Sequence, residues 1–159
     1  MNIYLIRHGD AEKASALKKD FDRTLTPEGE KKIKIAAEGW KFLTPQFSHI
    51  ISSPLVRALQ TAQIVAQVYK FAGKIITDKR LIFGNRTEEL IDLANEVMGH
   101  DMAFIGHEPD FSEHVSNLIS NSSAKIDFKK GMIAKISFSA KAKRSRGVLE
   151  FLIPSKAYK

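Results

Sequence analysis

The sequence predicts an α/β fold, a three-layer α/β/α sandwich whose central sheet is mostly parallel with antiparallel edge strands, and two observations carry that prediction. The first is a series of short apolar runs, among them Ile3-Tyr4-Leu5-Ile6, Ile50-Ile51 and Met102-Ala103-Phe104-Ile105, that alternate with segments of helical periodicity. Runs of this kind read as strands buried on both faces, as happens when helices cover a sheet on either side. The second is the polar turn that closes each run: Arg7-His8-Gly9, Ser52-Ser53-Pro54 and Gly106-His107-Glu108-Pro109. In open α/β sheets ligands bind outside the carboxyl ends of the strands, so these turns stand where chemistry is usually done.

Residues 2–7 make the first strand, and Gly9 lets the chain turn and leaves room for a bound group. Residues 10–25 are charged and poor in apolar side chains, a loop that can fold over the site. A helix then runs from Pro27 to about Leu43 under a Thr26 cap, with Ile33, Ala36, Ala37, Trp40 and Leu43 facing the sheet. The second strand ends near Ser52. The next helix runs from Pro54 to about Phe71, with Ser53 as N-cap and Arg57 in the first turn. Residues 74–77 form a short third strand, and a helix over residues 86–98 has Asn85 and Glu88 at capping-box spacing and Gly99 as its stop. Residues 102–105 form the fourth strand and residues 110–119 a helix. Strands over residues 132–139 and 147–153 close the sheet antiparallel, joined by a basic loop. No repeat or linker interrupts this series, and residues 1–159 read as one domain.

Bulk properties narrow the function. The chain has no cysteine, so a disulfide framework, a zinc-thiolate site and a thiol nucleophile are excluded. The first apolar run stops at Arg7, too short for a signal-peptide core or a membrane span, and the expected location is cytoplasmic. The formal charge is +7, from 25 basic against 18 acidic residues. Lys125, Lys129, Lys130, Lys135, Lys141, Lys143, Arg144 and Arg146 concentrate that excess late in the chain. Most simply this is a solvated face; the sharper reading is a surface that steers an acidic phosphoprotein toward the site. Nucleic acid has less support, because no aromatic residue is interleaved among residues 141–146.

Two histidines and two arginines leave the ends of three strands. Converging on one rim, Arg7, His8, Arg57 and His107 would present two imidazoles and two forked donors, a set that suits a tetrahedral oxyanion such as phosphate. A lone histidine after a strand is commonly a hydrogen-bonded rim residue, and it is the paired arginines that set His8 and His107 apart. A cation in the first turn of a helix opposes the macrodipole, so Arg57 asks for an anion. His49, His100 and His114 lack such surroundings and read as structural, and Thr61, one turn beyond Arg57, reads as a packing residue.

Arg7-His8-Gly9-Asp10-Ala11, Leu25-Thr26-Pro27-Glu28-Gly29, the run from Ser52 to Ala62 and Gly106-His107 occur in the order and at the spacing of the histidine phosphatase superfamily, which this chain resembles over residues 1 to about 120. Length and the Asp10-Ala11 continuation make it most similar to the small SixA-type phosphohistidine phosphatases. The resemblance implies a phosphoglycerate mutase-like fold and a covalent phosphohistidine on His8. Arg7, Arg57 and His107 would hold the phosphoryl group, with no metal or cofactor. A neutral imidazole is a competent nucleophile toward phosphorus, and charge on the equatorial oxygens is what the clamp must stabilise. The implied partners are a protein phosphorylated on histidine, or a small phosphorylated substrate, and phosphate. Where the mutase branch has a threonine and an asparagine after its Arg-His-Gly motif, this chain has Ala11 and Ala14. The insertion that carries a general acid in that branch is also missing, leaving Glu108, then Asp110, Glu88 and Asp10, as candidates.

Other readings stay open. The chain can be a general small-molecule phosphomonoesterase of the same superfamily, or a non-catalytic module that binds phosphoproteins through its arginines. A metal-dependent hydrolase could use His8, His107, Asp10, Glu108 and Asp110 as ligands, although the histidines lack local metal-binding spacing and the arginines would repel the ion.

Overall fold

A computed structural model describes residues 1–158. Its elements are β1 (Asn2–Arg7), α1 (Pro27–Trp40), β2 (His49–Ser52), α2 (Val56–Tyr69), β3 (Ile76–Thr77), α3 (Thr87–Val97), β4 (Asp101–Gly106), α4 (Asp110–Ile119), β5 (Ile133–Ser137) and β6 (Val148–Ile153). The strands form one sheet in the order β3-β2-β4-β1-β5-β6. Pairing is parallel from β3 through β1 and antiparallel where β5 meets β1 and β6. This is the expected mostly parallel sheet with antiparallel edge strands. No helix among the described residues is long and apolar enough to cross a membrane.

The two-residue period of the strands divides the core into two layers. Tyr4, Ile6, Ile50, Ala103 and Ile105 face α1 and α2, where Ile33, Ala37, Trp40, Ala58 and Val65 meet them. Ile3, Leu5, Ile51, Met102 and Phe104 face the other way, against Leu90, Leu93, Phe111, Val115 and Leu118 of α3 and α4. Such double coverage explains why the central strands are almost continuously apolar.

Several boundaries differ from the sequence expectation, each for a local reason. The first helix stops at Trp40, because Pro45 disfavours helical geometry in the residue before it and the last amides turn back onto Gly39 and Trp40. Leu43 therefore lies off the stripe, about half exposed. The second helix begins at Val56, not Pro54, and Ser53 does not cap it. The Ser53 amide instead donates to the Ile105 carbonyl at 2.9 Å, so the sheet holds the chain extended past the end of β2. In α3 the cap moves by one residue: Glu89, not Glu88, accepts from the Arg86 amide at 2.9 Å. That helix closes on Met98 in the left-handed conformation, one residue before Gly99.

Gly9 needs its missing side chain for a different reason from a turn. A Cβ there would stand 2.7 Å from Ile33 Cγ1 and 3.3 Å from the Gly29 carbonyl, so Gly9 lets α1 approach the end of β1. Gly29 is the reciprocal contact, since a Cβ on it would collide with the Asp10 backbone. Backbone yields less readily than a flexible side chain, and overpacking costs about 1–3 kcal/mol. Gly29→Ala is accordingly expected to lower the urea midpoint by an amount in that range while the slope stays constant; an unchanged midpoint would mean that α1 can shift freely.

Candidate active site

The parallel register places the chemistry. Arg7 of β1 lies opposite Gly106 of β4, and Ser52 of β2 lies opposite Ile105. The ladder continues one step further, with the His8 amide donating to the Gly106 carbonyl at 3.1 Å. His8 and His107 are thus neighbours on adjacent strand ends, their ring centroids 5.1 Å apart. Both continue the alternation toward the α1 and α2 face, where the N-terminus of α2 delivers Arg57. A pocket of about 300 Å³ is lined by Arg7, His8, Arg57, His107 and Glu108, together with Asp20, Arg23, Phe83 and Lys130.

The hydrogen bonds of His8 define its tautomer. Its Nδ1 lies 2.7 Å from the Gly9 carbonyl, which can only accept, so Nδ1 carries the proton. Arg57 Nε, which can only donate, is 3.3 Å from His8 Nε2, consistent with a lone pair on that nitrogen. Burial above all holds the His8 pKa down at about 3; the Gly9 carbonyl opposes it, and the neighbouring Arg57, Arg7 and Lys130 charges lower it further. The free nitrogen is therefore unprotonated across the neutral range. His107 is also brought to about 3, first by burial and then by the charges around it. Its Nε2 pairs with the Ser53 hydroxyl at 2.8 Å.

Arg57 is almost fully buried. Its Nη1 donates to the Asp20 carbonyl at 2.8 Å and its Nη2 to Asp20 Oδ2 at 3.2 Å. The anion that a cation at this helix terminus requires is supplied by the loop over residues 10–25, which folds across the site as its charged sequence suggests. Asp20 itself was not legible as a site residue, because nothing in its local pattern separates it from Asp22 or Asp10. Arg7 reaches the other way, with Nη1 donating to the Phe128 carbonyl at 2.7 Å. Two buried nitrogens at this site, Arg7 Nε and His107 Nδ1, have no hydrogen-bond partner among the described residues. Unpartnered buried nitrogens are rare in folded proteins, and here they accompany a pocket lined by Arg7, Arg23, Arg57 and Lys130, charges that suit an oxyanion.

The acid candidates separate cleanly. Glu108 lines the pocket and its pKa is raised by burial, against the lowering effect of two hydrogen bonds from Ser112 and of Arg7. Asp110 instead accepts the Gly84 and Asn85 amides at 3.0 Å, which pins the loop carrying Phe83 to the pocket rim. Glu88 pairs with Arg144 at 2.6 Å, and Asp10 with Lys130 at 3.0 Å. Thr61 is a brace: its hydroxyl accepts from the Gly9 amide at 3.2 Å and donates to the Arg57 carbonyl at 2.8 Å. His114 is buried against the Thr87 hydroxyl, 2.9 Å away. No group of three or more His, Cys, Asp or Glu residues among those described is placed to hold a metal ion. The late basic run divides: Lys130 borders the pocket, whereas Lys135 pairs with Glu150 at 2.6 Å and Arg144 with Glu88.

The buried histidines set a pH dependence of stability. His114 is lowered to about 4, chiefly by burial, from an ordinary value of 6.5. Below pH 6.5 the unfolded chain takes up a proton that the folded chain refuses, so this contribution is present above that pH and is lost as pH falls toward 4. His8 and His107 act in the same direction, each losing on the order of 1 kcal/mol or more between pH 7 and pH 5. Urea titrations are expected to show a shallower decline for His114→Gln than for the unaltered chain. Equal slopes would place His114 in contact with water.

Comparison with known proteins gives matches of three kinds. The model of the histidine phosphatase superfamily (branch 1) matches residues 3–83. Among curated relatives, an uncharacterized protein of Picosynechococcus sp. is 33% identical over 122 residues, which cover 71% of this chain and 70% of that protein. A probable phosphoglycerate mutase GpmB of Proteus mirabilis is 39% identical over 83 residues, but the matched stretch covers 51% of this chain and only 37% of the mutase. Among solved structures, the protein histidine phosphatase SixA complexed with tungstate shares the fold, with a TM-score of 0.83 at 22% identity over 99% of both chains.

Proposed function

This chain belongs to the histidine phosphatase superfamily, and from that premise we propose that it is a metal-independent phosphatase of SixA type that hydrolyses phosphohistidine or other labile phosphates through a phosphohistidine on His8. The observation that carries the reading is the His8 ring, proton fixed on Nδ1 by the Gly9 carbonyl and lone pair on Nε2 beside Arg57. Nε2 attacks phosphorus, the bond to the leaving group breaks, and the phosphoryl group resides on His8. Water then displaces it, giving phosphate and restoring the imidazole. Arg7, Arg57 and His107 surround the equatorial oxygens and stabilise the charge that gathers on them. Asp20 occupies Arg57 until phosphate replaces it. The cytoplasm and a phosphorylated protein partner belong to this reading, as does a single domain over residues 1–159.

His8→Ala is expected to abolish turnover of an aryl phosphate with or without a chelator, and acid quenching of the unaltered enzyme during turnover should leave an acid-labile phosphate on His8. Activity in the alanine variant would remove the covalent mechanism.

Glu108 favours a second reading, that of a general phosphomonoesterase. A carboxyl beside the pocket with a raised pKa can protonate a leaving oxygen, a step that contributes on the order of 10² to 10⁴ in rate. The two readings separate on a leaving-group series of matched size. The phosphohistidine reading expects a steep dependence, with phosphohistidine and aryl phosphates turned over well and alkyl phosphates poorly, and little change in Glu108→Gln. A flat series that becomes steep in Glu108→Gln would make Glu108 a working acid.

A further inference from the structure

A second cavity, of about 690 Å³, adjoins the phosphate pocket and shares Arg7 and Lys130 with it. Its walls come from the end of β1, from α1, from the turn before β5 and from the segment after β6. Five cations line it, Arg7, Lys32, Lys129, Lys130 and Lys156. Three carboxylates answer them: Asp10, 3.0 Å from Lys130 and 3.9 Å from Lys32, Glu28, 3.6 Å from Lys32, and Asp127, 3.0 Å from Lys129, so positive charge remains in excess. Ile35, Pro154 and Tyr158 add an apolar surface. The outer wall is pinned in place: a Cβ on Gly39 of α1 would collide with the Tyr158 ring, and the Ser155 hydroxyl donates to the Lys130 carbonyl at 3.5 Å.

We propose that this cavity is the leaving-group subsite of the phosphatase proposed above, and that it selects substrates whose body carries a second anionic group, a carboxylate or a phosphate. A phosphoryl group beside His8 must send its leaving group toward an open side of its pocket, and Arg7 and Lys130 border both that pocket and this second concavity. Its volume is that of an ordinary small-ligand site, enough for a body of aryl, sugar or amino-acid size. The apolar wall accepts that body while the surplus of cations favours a negative substituent on it. An anionic metabolite and an acidic residue flanking a phosphorylated histidine offer the same chemistry here.

Two aryl phosphates of equal leaving-group basicity, one with a distal carboxylate and one with a neutral group of the same size, test the subsite. The carboxylate ester is expected to have a kcat/KM about three- to tenfold higher, as two or three half-exposed ion contacts give. That advantage should shrink at high salt and vanish in Lys32→Gln/Lys156→Gln, while turnover of the neutral ester is unchanged. Phosphohistidine peptides with a flanking Glu or Gln form the second arm. A preference confined to the peptides identifies a protein source, and one confined to the esters a small molecule. Equal kcat/KM for charged and neutral members of both series, or a preference that survives the double substitution, overturns the subsite. Calorimetric titration of His8→Ala with the two esters reads the same preference without turnover. An enzyme that binds the carboxylate ester better yet hydrolyses neither would therefore refute the phosphatase reading and leave the subsite standing.

Discussion

The parallel pairing of β1 with β4 is the constraint on which the site depends. Because Arg7 stands opposite Gly106, the next residues along each strand, His8 and His107, leave the sheet side by side and on the same face. A slip of one residue would turn one imidazole to the opposite face, since the side-chain period of a strand is two. The apolar residues behind them forbid that slip: Tyr4 and Ile6 would exchange faces with Ile3 and Leu5, and every one of these is fully buried. The core thus fixes the geometry of the site from below. Gly9 and Gly29 then let α1 close against the strand end, which leaves the His8 turn little freedom.

On this scaffold, burial tunes reactivity. Taking an imidazole out of water disfavours its charged form, and the guanidinium groups nearby add to the effect, so His8 stays neutral at pH values where an exposed histidine would be partly protonated. The arginines bear the opposite cost, since they remain charged and must be satisfied. The structure meets that demand with backbone carbonyls, Phe128 for Arg7 and Asp20 for Arg57, and with one carboxylate. Arg7 Nε is left without a partner among the described residues, and a buried donor of that kind costs about 1–3 kcal/mol.

Much of this was legible in the sequence because strand ends announce themselves. Apolar runs that break at Arg7-His8, Ser52-Ser53 and Gly106-His107 locate the rim without any knowledge of the sheet order, and the sheet order then brings the residues together. Ser53 shows where local rules stop. Ser-Pro before a helix is a cap signal by those rules, yet the Ser53 amide is held by the Ile105 carbonyl and its hydroxyl, besides accepting the Leu55 amide at 3.3 Å, pairs with His107, so the sheet keeps the chain extended and the helix starts three residues later. Glu88 and Asp110 fail for a similar reason, their carboxylates being consumed by Arg144 and by the Gly84 and Asn85 amides. Asp20 was invisible, and Lys130 stood out only as one member of a basic run, because loop residues acquire their roles from where the loop lands, and one-dimensional periodicity says nothing of that.

The site therefore has two halves of different character. The strand ends contribute Arg7, His8 and His107 in a geometry set by the core, and this half suits attack on phosphorus whatever phosphorus is attached to. Loops contribute Asp20, Phe83, Lys129 and Lys130, which in the proposed reading stand on the side of the leaving group. Glu108 lies on the boundary. It comes directly after His107, so its position is inherited from the sheet, but its protonation is a balance between burial, which raises its pKa, and Ser112 and Arg7, which lower it. Small changes on the α4 side of that balance would move the same scaffold between cleaving a phosphoramidate, which leaves with little help, and cleaving an ester, which needs a proton. Diversity of leaving group within such a fold then requires no change in the strands, where any substitution would disturb the packing of the core.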